Sequence, residues 1–412
     1  MNEESFIKKH FQGFYRQNEV QGPPEIETRE FGFGVFGRKI ANRHLSFESK
    51  PKFNNFLREQ VPLFVSYSSA LYRHPSKRPM EEKGLFAADL VYEFDADDLQ
   101  GLKCGRKHDS WSCPKCGKQG NGPQQTCDEC MTPLKVEQWF CPDCIEGAKE
   151  KVFSLLDFLE NDFGFSEGLA INFSGRAGFH VHVRSEAVRQ LSNPARVELI
   201  DYLTARGLNI FSHFKKEETF FSFRGLKDKA GWPQRILSEL VALLEEGDAE
   251  KIAVMGGTSL PMAKRLVKEK GLILSSIRER NTIPSIFGRV SSTGESKSDR
   301  FWQGFLNTIV EKIAPIDRQT SIDLNKIVRV PDTLHGETGL VSTNLTREAL
   351  KEYNPFDEAT AFDKNASEKV FINKAPSFYL LGEMFGPFEK EEAELPLPAA
   401  IFLVAKGSAT LR

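Results

Sequence analysis

All seven cysteines of this chain lie between Cys104 and Cys144, and six of them stand in Cys-x₂-Cys pairs. No other feature limits the local fold so tightly, because closely spaced pairs of this kind bind metal in a reducing compartment rather than form disulfides. Cys113-x₂-Cys116-x₁₀-Cys127-x₂-Cys130 has zinc-ribbon spacing: each short turn offers two thiolates, and two turns complete a tetrahedron. Cys104, His108, Cys141 and Cys144 then form an outer set, which gives eight ligands for two closed sites. The spacing also allows Cys127, Cys130, Cys141 and Cys144 to pair off, leaving Cys104, His108, Cys113 and Cys116; the nested arrangement is preferred. Closed sites keep no open coordination position, so their expected role is structural or in nucleic-acid contact. Lys103, Arg106, Lys107, Lys115 and Lys118, with Trp111, make a surface suited to a single strand, with a solvated fold around the metals as the plainer reading.

Immediately before this region runs Asp89-Leu90-Val91-Tyr92-Glu93-Phe94-Asp95-Ala96-Asp97-Asp98. Alternation along a strand puts Leu90, Tyr92, Phe94 and Ala96 on one face and Glu93, Asp95 and Asp97 on the other. Carboxylates that close repel one another and raise each other's pKa unless a cation neutralises them, and oxygen-only ligands favour Mg²⁺ or Mn²⁺. A solvated acidic strand end is the alternative for an isolated Asp-x-Asp.

A second informative stretch follows an expected amphipathic helix over 145–162. Leu169 to Ser174 and Phe179 to Arg184 read as two strands joined by Gly175-Arg176-Ala177-Gly178. Their odd positions are apolar, while Asn172, Ser174, His180, His182 and Arg184 share the other face, so the hairpin presents a polar surface over a packed one. Glycines flanking Arg176 let the backbone approach a ligand, and Arg and His are natural phosphate donors. Further on, Lys326 to Pro331 is strand-like and Asp332 to Gly339 is a polar, glycine-rich loop in which Arg329 and His335 lie close together in sequence. Arg43, on an expected strand over 40–47, reads on its own as a surface charge.

The charge sum of −2 supplies no bulk attraction for nucleic acid, so any such binding rests on local basic patches. No apolar run approaches the ~18 residues of a membrane span, and Met1-Asn2-Glu3-Glu4 lacks a basic start, so a cytoplasmic protein without membrane association is expected. Helical periodicity marks 5–17, segments from Pro194 and Pro233, and 298–313.

Three blocks in this order, Phe94-Asp95-Ala96-Asp97, Ser174-Gly175-Arg176-Ala177-Gly178-Phe179-His180, and Asp317 followed by Ile327-Val328-Arg329-Val330-Pro331 and Leu334-His335-Gly336, resemble the catalytic small subunit of archaeal and eukaryotic-type DNA primase. The resemblance implies a mixed α/β fold, an archaeo-eukaryotic primase catalytic core with an inserted zinc module and an inserted helical subdomain. The expected organisation is core over 1–103, zinc module with ribbon over 104–144, core over 145–185, helical subdomain over 186–290 and core over 291–412. By the same resemblance Asp95, Asp97 and Asp317 hold two Mg²⁺ or Mn²⁺ ions, and Ser174, Arg176, His180, Arg329 and His335 cradle the nucleotide triphosphate with Arg43 joining them. The family's single zinc site is matched by Cys104, His108, Cys141 and Cys144, which makes the ribbon of Cys113, Cys116, Cys127 and Cys130 an insertion. Ser321-Ile322-Asp323 stands where archaeal relatives often have Thr-x-Asp; spacing to His335 assigns the third carboxylate to Asp317, with Asp323 second.

The implied activity is DNA-directed nucleotidyl transfer: synthesis of short primers on single-stranded DNA from nucleoside triphosphates in replication. The implied partners are the template, the nucleotides and a primase large subunit. A repair or translesion primase-polymerase preferring dNTPs is the alternative on the same core. A non-catalytic zinc-ribbon nucleic-acid-binding protein and a metal-dependent nuclease are rivals of other classes.

Overall fold

The computed structural model of the chain describes residues 2–99, 102–210, 214–216, 220–223, 231–284, 297–316 and 323–412. The chain is mixed α/β and divides into two compact units. One comprises Met1–Phe153, Glu167–Ser192 and Gln319–Arg412; the other comprises Ser154–Ser166 and Asn193–Arg318. The second unit is mainly helical, with Asn193–Leu203, Trp232–Glu246, Ala249–Met255, Leu260–Arg280 and Lys297–Ile313. Their apolar stripes, among them Leu240, Leu244, Ile252, Leu266, Ile273, Trp302 and Leu306, are buried.

Two four-stranded antiparallel sheets organise the first unit. One has the order Ile327–Arg329, Phe64–Ser68, Phe31–Val35, Arg38–Leu45. Its rings, with the helix Lys50–Gln60, build a phenylalanine core in which Phe31 lies 5.1 Å from both Phe47 and Phe53, and Phe33 4.5 Å from Phe56. The other sheet has the order Asn344–Leu345, Leu169–Phe173, Gly178–Val183, Leu90–Asp95. Its register sets Asp95 opposite Gly178, Glu93 opposite His180, and His180 opposite Asn172. Directly opposed residues share a face, so these side chains form one polar row.

That row is not a solvent face, as the alternation alone suggested. Asn172, His180 and His182 are all buried, because the sheets meet there: the Tyr67 hydroxyl lies 3.4 Å from His182 Nδ1 and accepts a 3.0 Å hydrogen bond from Arg184 Nη2. Asn172 Oδ1 lies 3.0 Å from His182 Nε2 and Asn172 Nδ2 3.5 Å from His180 Nδ1, pairings that help the row tolerate its burial. Deeper still, Arg29 and Asp89 form a fully buried ion pair of 2.8 Å, and Arg189 Nε donates to the other Asp89 oxygen at 2.9 Å.

A small sheet of Ser110–Ser112, Gln119–Asn121 and Lys135–Glu137 carries the cysteine region. The C-terminal sheet, Ser367–Ala375 with Phe388–Pro396 and Ala409–Leu411, is covered by the apolar helix Leu397–Lys406. Among the described residues no helix is long and apolar enough to cross a membrane.

Candidate active site

The Leu90–Asp95 strand ends two residues earlier than the alternation to Asp97 suggests. Asp98 N donates to Asp95 O at 3.1 Å and Ala96 N to Ala177 O at 3.1 Å, so residues 96–98 form a turn tied to the neighbouring hairpin loop. Asp97 therefore reaches the site from a turn, not from the strand face. Asp95 lies directly over Gly178, where a Cβ would come within 2.3 Å of Asp95 Oδ1; a side chain there would displace the carboxylate. Burial first, then the charges of Asp97 and Glu93, push the Asp95 carboxyl up to about 6. Asp97 Oδ2 is paired with Arg176 Nη1 at 3.0 Å, whereas Asp97 Oδ1 is buried without a hydrogen-bond partner. An unpartnered buried carboxylate oxygen beside a second carboxylate that resists ionisation is a donor set short of positive charge, and it fits a hard divalent cation.

The hairpin loop is held by its own serine. Ser174 Oγ accepts from Gly178 N at 3.3 Å and from Arg176 N at 3.5 Å, and Ser174 N donates to Gly178 O at 2.8 Å. Gly175 takes φ of +87°, and a Cβ there would lie 2.8 Å from His335 Cβ, so glycine is required both for the turn and for the close approach of the 332–339 loop. Thr338 Oγ1 fastens that loop by donating to Gly175 O at 2.6 Å. Arg176 projects from the tip. Besides Asp97 it donates to Gln138 Oε1 at 3.0 Å, lies 3.4 Å from Glu337 Oε2 and stacks 4.9 Å from the Phe140 ring centre.

His180 Nε2 stands 3.6 Å from Glu93 Oε1, and Lys326 Nζ lies 2.5 Å from the other Glu93 oxygen. Burial holds both His180 and His335 below the ordinary histidine range, His335 well below it, with Arg329 adding to the effect on His335. His335 Nδ1 accepts from Glu337 N at 3.2 Å, so the imidazole is a neutral acceptor on that side. Arg329 lies 5.3 Å from the centre of the Phe64 ring, and His335 packs edge-on to the same ring at 5.3 Å. Burial lowers the Arg329 guanidinium to about 10, which leaves it charged at neutral pH. Arg43 Nε is committed to the buried carboxylate of Glu30 at 2.7 Å, and its Nη2 donates to Asn325 O. Asp317 lies outside the described residues. Asp323 is described, and its Oδ1 accepts from Asn325 N at 2.8 Å.

The structure thus brings together Asp95, Asp97, Ser174 and Arg176 at the hairpin loop, with His335 against Gly175 and His180 one strand position further in. Lys326, Glu337 and Gln138 join them without having been singled out from the sequence. Only the proximity of Lys326 to Arg329 and of Glu337 to His335 along the chain could have signalled two of them; nothing marked Gln138.

The cysteine region resolves into the nested partition. Cys104, His108, Cys141 and Cys144 form one group and Cys113, Cys116, Cys127 and Cys130 the other, with the ligand atoms of each group all within 4.8 Å of one another. Sulfur separations are 3.5 Å for Cys104 to Cys144, 3.8 Å for Cys141 to Cys144, 3.4 Å for Cys113 to Cys130 and 3.7 Å for Cys116 to Cys127. Four thiolates at ~2.3 Å around a tetrahedral zinc are ~3.8 Å apart, so both groups fit that ion. His108 Nε2 lies 3.4 Å from Cys144 Sγ, which makes it the nitrogen turned inward. Cys144 stands in the first turn of the helix Pro142–Asn161.

Comparison with known proteins gives an independent line. A sequence model of the family described as DNA primase small subunit matches residues 128–347. The chain is 31% identical to the DNA primase small subunit PriS of Methanothrix thermoacetophila, across 98% of each chain. Identity is 28% with the protein of the same name from Methanococcoides burtonii, across 98% of this chain and 97% of that one. It is 27% with that of Archaeoglobus fulgidus, across 98% of each.

Proposed function

Because this chain belongs to the DNA primase small-subunit family, we propose that it is the catalytic chain of a primase, a nucleotidyltransferase that builds short primers on single-stranded DNA from nucleoside triphosphates during replication. The observation that carries the reading is the meeting of an under-neutralised carboxylate pair, Asp95 and Asp97, with the guanidinium of Arg176 on one hairpin loop.

In this reading Asp95 and Asp97, with Asp317, would hold two Mg²⁺ or Mn²⁺ ions. Such ions, when bound, neutralise the attacking and leaving oxygens of an in-line displacement. The chain's own side chains do the rest. The burial and repulsion that raise the Asp95 carboxyl would be relieved by a cation bound there, and Asp97 would offer its free Oδ1. Arg176 presents N–H donors that a phosphate oxygen can take over from Asp97 and Glu337, with its plane kept in place by Phe140. Ser174 fixes the loop, and in this reading Arg329, His180, His335 and Arg43 would supply further phosphate contacts. The buried, neutral imidazoles bind phosphate oxygen by donating a single N–H. The primer 3′-oxygen bonds to the α-phosphorus as the bond to pyrophosphate breaks, and the hydroxyl proton leaves to solvent.

The two zinc groups are structural in this account. The partners are the template strand, the nucleotides and a large subunit that shares initiation. Pyrophosphate release on an unprimed homopolymer template, measured with and without the large subunit, tests the reaction class. Release that requires the template and is lost in Asp97→Ala is the expected result; release without template, or none with both subunits and Mn²⁺ present, contradicts it.

A further inference from the structure

Arg106 stands between two residues of the outer zinc group, Cys104 and His108, and its side chain reaches the carboxylate turn. Its Nη1 donates to the carbonyls of both Ala96 and Asp97, each at 3.0 Å. Its Nε donates to Asp109 Oδ2 at 2.8 Å. The backbone that aims it there has φ of +52°, a conformation non-glycine residues seldom adopt. Local hydrogen bonds hold it: Lys107 N to Cys104 O at 3.4 Å and Asp109 N to Arg106 O at 3.1 Å.

Asp109, 2% exposed, extends the connection. Its second oxygen accepts from Trp139 N at 2.9 Å, and the preceding residue, Gln138, accepts from Arg176. One guanidinium–carboxylate pair therefore supports the turn that aims Asp97 and the segment that orients Arg176. A cleft of about 730 Å³, lined by Asp97, Asp98, Arg106, Asp109 and Gln138 among others, opens alongside it.

We propose that Arg106 is a positioning residue for the catalytic ions: folded into place by the Cys104–His108 zinc site, it fixes the peptides of Ala96 and Asp97 and thereby the direction of the Asp97 carboxylate. Two fixed carbonyls remove the rotational freedom of a turn whose strand hydrogen bonds have already ended. The charge of Asp109 cancels that of the guanidinium, so the cation orders the turn without repelling an ion held beyond it. Partners behind a metal ligand characteristically act in this way, through ligand direction rather than contact with the ion. The inference rests on the reading of Asp95 and Asp97 as ligands.

The test is Mn²⁺ binding to the full chain, followed by the loss of the free-ion paramagnetic resonance signal, for wild type, Asp95→Ala, Arg106→Ala and Arg106→Lys, with zinc content measured on each. Arg106→Ala is expected to keep two zinc ions and to bind Mn²⁺ roughly 10-fold to 100-fold more weakly. Arg106→Lys, able to reach one carbonyl, should fall between. In primer synthesis the half-saturating Mn²⁺ concentration should rise in step while kcat at saturating Mn²⁺ is retained. Unchanged Mn²⁺ affinity in zinc-replete Arg106→Ala overturns the proposal. Loss of zinc from both Arg106 variants also overturns it, since Arg106 would then serve only the zinc fold. Equal binding by wild type and Asp95→Ala would instead remove the ligand reading itself, and the inference with it.

Discussion

Arg176 Nη1 lies 3.0 Å from Asp97 Oδ2, while the other oxygen of the same carboxylate is buried with no partner. The proposed phosphate-binding arginine and the proposed metal-binding aspartate are thus paired with each other across the hairpin loop. In the proposed reading, loading the site would exchange this contact for arginine to phosphate and carboxylate to cation, supplying the positive charge that the carboxylate pair lacks.

Arg176→Lys keeps the charge but loses the planar fork that serves Asp97 and Gln138 together. The expected result is a fall in kcat/KM for nucleotide of about ten-fold or more, equivalent to about 1.4 kcal/mol, carried mainly by KM. Steady-state kinetics at saturating Mn²⁺ measure it. An unchanged KM would remove Arg176 from the nucleotide site.

Asp95 should destabilise the ion-free chain. Its folded-state pKa of about 6 exceeds the usual 3.8, so the folded state holds the proton more tightly than the unfolded one. Stability from this group is therefore intact at low pH and lost as pH rises through the interval between those values, by roughly 3 kcal/mol at most. Asp95→Asn is expected to raise Tm in chelator at pH 7.5, with the gap closing towards pH 4. Added Mn²⁺ should raise the wild-type Tm and leave the variant unmoved. A variant less stable than wild type in chelator at pH 7.5 would contradict the burial argument.

Asp89 is expected to matter to folding rather than to catalysis. Its carboxylate is fully buried and faces Arg29, Arg189 and, at 3.6 Å, Arg184. Asp89→Ala leaves buried cations uncompensated and should cost about 3–5 kcal/mol. Urea denaturation gives the value; a loss under about 1 kcal/mol would mean the arginines find other partners.

Metal analysis of the purified chain should find two zinc ions, one for each group. Cys127→Ser should reduce this to one and leave the outer site filled, because the groups share no ligand. A single zinc in the wild type, or loss of both in the variant, would contradict two independent sites.

Much of this geometry is written in local patterns. Alternation in 90–95, 169–174 and 179–184 sets Glu93, Asp95, Asn172 and His180 on one face, and the Cys-x₂-Cys spacing limits the zinc partition to two choices. What alternation does not contain is what covers the face: Tyr67 of another sheet meets the buried His182, a long-range contact with no local signal. The end of the carboxylate strand at Asp95 depends on a hydrogen bond to Ala177, which lies beyond the zinc region in the chain. Arg106 reads as one more basic residue of the cysteine region until its two carbonyl partners are seen. Asp317 is placed by sequence spacing alone.

The measurement that bears most directly on the account is primer synthesis on an unprimed single-stranded template, with labelled ATP or dATP and Mg²⁺ or Mn²⁺, comparing wild type with Asp95→Ala in the presence of the large subunit. The account predicts extended products from wild type and none from the variant, with the preferred nucleotide separating a replicative from a repair role. Products of equal yield from Asp95→Ala, or none from wild type under any of these conditions, would contradict a catalytic centre built on Asp95, Asp97 and Arg176.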